Sequence, residues 1–164
     1  MTNKETFLSR RSALLLGAFT IFGGWNYASA DAMPLVTVNK NPSCGCCAGW
    51  AEHLRQAGFP VKTIETSDLQ PLKTRLGIPT NLSSCHTAHV SGYVIEGHVP
   101  ATAILKLLRD KPKATGLAVP GMPIGSPGME GPNPEIYDVI LFGKGRRQSF
   151  ARFKGKEPVL GGRR

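Results

Sequence analysis

Apolar and polar positions divide the chain between residues 35 and 153 into short elements. Residues 35–38 (Leu-Val-Thr-Val) are apolar and β-branched, lie between Pro34 and Asn41-Pro42, and predict a buried strand. Cys47, Trp50 and Leu54 follow at the i, i+3, i+7 spacing of one helix face. A helix is therefore expected from Ser43 or Cys44, either of which can cap it, to about Ala57, where Gly58 stops it. Residues 59–64 carry a blurred alternation that suits a strand covered on both faces. Ser67-Asp68 opens a second helix through Leu69, Leu72 and Leu76, with Pro71 tolerated near its first turn and Gly77 and Pro79 closing it. A loop over residues 80–84 then delivers Cys85 and His86 to two short strands, 88–90 and 93–96, joined at Gly92 as a hairpin. A third helix begins at Val99-Pro100-Ala101, with Ile104, Leu105 and Leu108 on one stripe, and ends at Lys111-Pro112.

The order strand, helix, strand, helix, strand, strand, helix is that of a thioredoxin-like fold: an α/β chain with a mixed sheet and flanking helices. Sites in α/β sheets lie beyond the carboxyl end of a strand, at the start of the next helix. Three of the four cysteines, Cys44, Cys46 and Cys47, stand at that place. In a thioredoxin-like chain the loop before the third strand faces the first helix, so Cys85 is expected beside them. Residues 116–134 have no helical or strand period and are rich in glycine and proline. A disordered linker is one reading. Their apolar Leu117, Val119 and Ile124, and the matching Gly-Met settings of Met122 and Met129, favour an ordered loop pressed against the body. Residues 137–142 and 148–153 read as a closing β-hairpin turning at Gly143-Lys144-Gly145, and no structure is expected beyond Lys154.

Length and charge bound the organisation. The 164 residues hold one domain, 31–153, beside an address segment and a basic tail, 154–164. Residues 1–30 have the layout of an export signal. A charged start ends in Ser9-Arg10-Arg11, an apolar run spans 13–22, and Ala28-Ser29-Ala30 offers a small-x-small cleavage site. Adjacent arginines before the apolar run resemble a twin-arginine signal, although Ala13 stands where Phe is usual; an ordinary secretory signal is the alternative. The apolar run falls short of the roughly 20 residues that span a bilayer, so membrane contact is expected only during export. Either route places the domain in the bacterial periplasm. The net charge of +9 could suit nucleic acid. The basic residues are scattered, however, and cluster only at Arg146-Arg147 and in the tail, a pattern more often simply solvated. No nucleic-acid partner is expected.

The address changes how the cysteines are read. In an oxidising compartment four cysteines default to two disulfides. Here that requires either Cys46 or Cys47 to reach Cys85 and the other to pair with Cys44, since adjacent Cys46 and Cys47 do not easily bond. Cys44 and Cys47 also form the C-x-x-C spacing of thiol oxidoreductases, but the third cysteine inside it is unusual there. Thiols at a helix start gain from its positive end and are expected to ionise readily. Without a second C-x-x-C the set is a poor match to a zinc ribbon. Crowded thiolates with methionines nearby suit copper(I), because it is soft and one sulfur can bridge two ions. His86, next to Cys85, is a candidate nitrogen ligand or merely a loop residue. Met122, and after it Met129, are candidate thioether ligands or lids, since neither sits on a periodic core stripe. His53 reads as solvated, His89 and His98 as structural or surface residues, and Trp50 as core.

These residues resemble a known family. Pro42-Ser43-Cys44-Gly45-Cys46-Cys47 with Trp50, Leu82-Ser83-Ser84-Cys85-His86-Thr87-Ala88, Gly92-Tyr93-Val94-Ile95-Glu96-Gly97-His98-Val99-Pro100, and Gly116-Leu117-Ala118-Val119-Pro120-Gly121-Met122-Pro123 with Gly125-Ser126-Pro127-Gly128-Met129-Glu130 are similar to the periplasmic metal-binding family typified by the copper-resistance protein CopG, which is unrelated to the plasmid repressor of that name. The match covers residues 35–142. It implies a thioredoxin-like fold and several copper ions held by Cys44, Cys46, Cys47 and Cys85, with His86 and Met122 as weaker candidate ligands. It also implies a setting of copper resistance, with other periplasmic copper-handling proteins as candidate partners and interconversion of copper(I) and copper(II) as a suggested activity. The competing reading is a thiol–disulfide oxidoreductase using Cys44 and Cys47. Against it, Ser84-Cys85-His86 stands where such enzymes carry a proline before the third strand.

Overall fold

The computed structural model describes residues 32–159. The export signal read at residues 1–30 lies outside them, as do residues 160–164. Eight strands form one mixed sheet. In chain order they are β1 (Val36–Lys40), β2 (Val61–Glu65), β3 (His86–Val90), β4 (Tyr93–Glu96), β5 (Gly116–Ala118), β6 (Ile136–Gly143), β7 (Arg146–Lys154) and β8 (Glu157–Pro158). Their order across the sheet is β2-β1-β3-β4-β5-β6-β7-β8. The β1–β2 and β4–β5 pairs are parallel and the other pairs antiparallel. Three helices, α1 (Gly45–Gln56), α2 (Gln70–Arg75) and α3 (Ala101–Asp110), interrupt the strands in the order expected. The α/β class and the seven leading elements agree with the hydrophobic pattern.

Strand alternation sends two sets of side chains to opposite faces. Val36, Val38, Ala88, Ile95, Leu117 and Val139 pack with Trp50 and Leu54 of α1 and Ile104 and Leu107 of α3. Val94, Ala118 and Phe142 form a second cluster with Ile78 and Leu82, which follow α2. The sheet is thus covered on both faces where it carries the cysteines. Trp50 is core as expected, and its indole N–H donates to the Val99 carbonyl at 2.8 Å.

Several expectations are corrected. β2 is not covered on both faces: it is an edge strand and mostly exposed, so its blurred pattern reflects weak burial. The buried stripe of α3 runs through Ala103, Ile104 and Leu107, and Leu105 points to solvent. Residues 116–118, read as part of the loop, form β5. Residues 155–159, expected without structure, turn back and add β8 along β7. The loop after β5 is ordered against the body, as its apolar content suggested. Gly128 packs on α1 so closely that a Cβ there would overlap the Cys46 carbonyl oxygen, at a φ of 83° that already favours glycine.

Gly116 is paired with Val94 of β4, and a side chain on it would overlap the Val94 carbonyl oxygen. Gly116→Ala is expected to lower unfolding stability by roughly 3 kcal/mol, through overpacking and a lost ladder bond. Urea denaturation measures this, and a loss below about 1 kcal/mol would contradict the close β4–β5 approach.

Candidate metal centre

The turn from β1 into α1 is braced by neighbouring polar groups. Asn41 Oδ1 accepts from the Ser43 N–H at 3.0 Å and from its hydroxyl at 2.7 Å. The nearly buried Lys40 donates to the carbonyls of Asn41 and Pro42. Cys44 occupies the cap position of α1, and neither it nor Ser43 makes a side-chain capping bond. Cys46 and Cys47 then fall in the first helical turn. Cys47 is fully buried and Cys46 half-buried.

Register brings the distant cysteine to them. Lys40, the last residue of β1, pairs with His86, the first of β3, so Cys85 arrives beside the turn that carries the cluster. Cys46 Sγ lies 3.5 Å from Cys44 Sγ and 4.0 Å from Cys85 Sγ, and Cys47 Sγ is 3.8 Å from the Cys85 carbonyl oxygen. One sulfur from each of Cys44, Cys46, Cys47 and Cys85 lies within 4.8 Å of the others. Cys44 and Cys47 are joined as a disulfide, and Cys46 and Cys85 are free thiols. The two-disulfide reading is thus met by half, because the second pair stays open.

A second group shares Cys85. Its Sγ lies 3.3 Å from His86 Nδ1 and 3.0 Å from His98 Nε2, and these three residues form another set within 4.8 Å. His98 Nδ1 is 2.8 Å from the Pro127 carbonyl oxygen. A carbonyl only accepts, so Nδ1 carries the proton and Nε2 presents its lone pair to Cys85. His98 is therefore no surface residue: it is completely buried and aimed at sulfur. The hairpin held the signal for it. A two-residue turn at Ser91-Gly92 pairs Val90 with Tyr93, and the same register continued places residue 98 opposite residue 85.

The other histidines separate clearly. His86 is buried under Trp50, with ring centroids 4.4 Å apart, and its Nε2 has no hydrogen-bond partner. His53 is half-buried and accepts the Ala101 N–H at 3.1 Å, which caps α3 instead of being solvated. Met122 is 51% exposed on the loop. Its neighbour Gly121 accepts from the Ser84 hydroxyl at 2.6 Å, which ties the loop beside Met122 to the residue before Cys85.

The centre is poor in charge. Burial pushes the Cys85 thiol up to about 12, and the adjacent Cys46 adds to the shift. Burial holds His86 well below its ordinary value, reinforced by His98 and Lys73, and burial likewise lowers His98. The site at neutral pH is a neutral thiol between two neutral imidazoles. Soft sulfur and the His98 Nε2 lone pair, with His86 Nδ1 also beside Cys85 Sγ, make a donor set that fits a soft or borderline metal ion.

The architecture and its sulfur cluster define a mixed α/β protein with a candidate metal centre. Two solved structures titled "Copper resistance protein copG", Form 2 and Form 1, are each 41% identical to the chain. Each covers 74% of it and 98% of its own length, with TM-scores of 0.70 and 0.69. The chain belongs to this CopG family. A family model described as "Protein of unknown function, DUF411" matches residues 82–129, a span that holds Cys85, His86, His98 and Met122. No curated protein matches.

In metal-free protein with the Cys44–Cys47 disulfide intact, iodoacetamide alkylation of Cys85 is expected to accelerate about tenfold per pH unit from pH 8 to beyond pH 10. The sign follows from the raised value, since the reactive thiolate remains a minority until pH approaches 12. Peptide mass spectrometry reads the rate, and a plateau near pH 9, as for an ordinary thiol, would contradict this environment.

Proposed function

We propose that the protein is a periplasmic copper-binding protein of copper resistance that holds more than one copper(I) ion on Cys44, Cys46, Cys47 and Cys85. The observation that carries the reading is the convergence of four sulfurs within 4.8 Å, one of them brought 38 residues along the chain. The copper-resistance titles of the related structures support the choice of metal. His98 Nε2 and His86 add nitrogen donors on the Cys85 side, and Met122 a thioether from the loop. The sheet order β2-β1-β3-β4 supports the thioredoxin-like reading of the frame. The apolar run and cleavage pattern of residues 1–30 support export.

The chain's own groups supply the chemistry. A dithiol reductant, closing to its own disulfide, returns Cys44 and Cys47 to thiols and completes the sulfur set. Each cysteine gives up its proton on binding metal. Burial holds the imidazole of His98 neutral, and the loop carbonyl of Pro127 fixes its proton on Nδ1 so that Nε2 faces inward. A centre with both thiolate and imidazole donors can serve copper(I) and copper(II), which is the basis for a copper redox role.

Anaerobic titration of the reduced protein with copper(I) is expected to give more than one ion per chain, with the count lowered in Cys85→Ser. No binding, or a count indifferent to Cys85→Ser, would overturn the reading. One observation favours a second reading: the disulfide of Cys44 and Cys47 at a helix start is the resting form of a thiol–disulfide oxidoreductase. Insulin reduction by metal-free protein separates the two. Turnover abolished by Cys44→Ser and indifferent to added copper would favour the oxidoreductase.

A further inference from the structure

We infer that Glu96, on the face of the sheet turned away from His86, positions Cys85 by holding the Ser84 backbone N–H on one side of it and the Thr87 side chain on the other. For a copper-binding site this inference rests on the function proposed above. β3 begins at His86, and the last ladder bond at that end runs from the Gly97 N–H to the His86 carbonyl at 3.0 Å. Ser84 and Cys85 therefore lie beyond the ladder, where sheet hydrogen bonds do not fix them. Glu96 extends the restraint. Its Oε1 accepts the Ser84 N–H at 2.6 Å, one residue before Cys85, and its Oε2 accepts the Thr87 hydroxyl at 2.7 Å, two residues after.

The carboxylate is itself held. Lys73 of α2 forms an ion pair with Glu96 Oε1 and donates to the Thr87 hydroxyl at 3.0 Å. Glu96 is completely buried and Lys73 nearly so. Burial pushes the Glu96 carboxyl up, and Lys73, the Ser84 N–H and Thr87 pull against that. A buried ion pair is a weak source of stability compared with apolar side chains of the same volume, so fixing a geometry is a better account of this one. Alternation explains why the clamp does not crowd the metal site. His86 turns toward Trp50 and α1, while Thr87, paired with Glu96, turns to the α2 side.

The test compares two folded double variants in which no buried charge is left unpaired. In Glu96→Ala with Lys73→Met the clamp is gone. In Glu96→Gln with Lys73→Met the amide still accepts from the Ser84 N–H and can donate to Thr87. Alkylation of Cys85 in the metal-free disulfide form is expected to rise about tenfold or more in the alanine variant, the scale of a lost charge-assisted hydrogen bond, and to stay within about twofold of wild type in the glutamine variant. The copper–thiolate absorption of the reduced, loaded alanine variant is expected to match that of Cys85→Ser. A folded alanine variant with the wild-type alkylation rate overturns the inference. If that variant does not fold, Thr87→Val takes its place: an increase of about threefold supports the clamp, and an unchanged rate overturns it. Because alkylation is read without metal, a wild type that binds no copper defeats the copper reading and leaves the clamp to be decided by alkylation.

Discussion

The antiparallel pairing of β3 against β1 is the constraint on which the centre depends. It sets His86 opposite Lys40, and because the chain leaves β1 directly into the cysteine turn, the residue before His86 has to lie at that turn. The approach costs little locally. β1 and β3 are buried, apolar in the middle and flanked by strands on both sides, so their register is fixed by the core and not by the sulfurs. A one-residue slip would carry Val38 and Ala88 out of the cluster that holds Trp50 and Leu54.

The polar groups around the centre are divided between the sheet's two faces. Toward α1 lie the thiols and two neutral imidazoles, one with its tautomer fixed by a loop carbonyl. Toward α2 lie the only buried carboxylate and lysine among the described residues with a partner in each other. The loop after β5 completes the first side, and it can approach because Gly49 and Gly128 offer no side chains where they meet. The glycine content that reads as disorder in a composition count is, at these two positions, a condition for contact.

Much of this is legible in the sequence. The stripe Cys47, Trp50, Leu54 marked the buried face of α1, and the order of elements placed Cys85 near the cluster. Three things were hidden, each for a physical reason. β5 is three residues long and buried on both sides, so Gly-Leu-Ala shows no alternation. β2 lies at the sheet edge, where weak burial produces the same blurred pattern as double burial. His98 follows the end of a strand, where periodicity has stopped; only the hairpin register links it to Cys85. The pairing state of the cysteines was left open by the sequence, because crowding and spacing allow both a cluster and a C-x-x-C disulfide.

Consecutive positions on a helix are turned by about 100° about its axis. Cys46 and Cys47, adjacent in the chain, therefore face different surroundings: one borders water and the other is sealed in the core. On the copper reading proposed above, an ion arriving from solvent would meet Cys46 before Cys47. The doublet gives the sulfur cluster an inside and an outside.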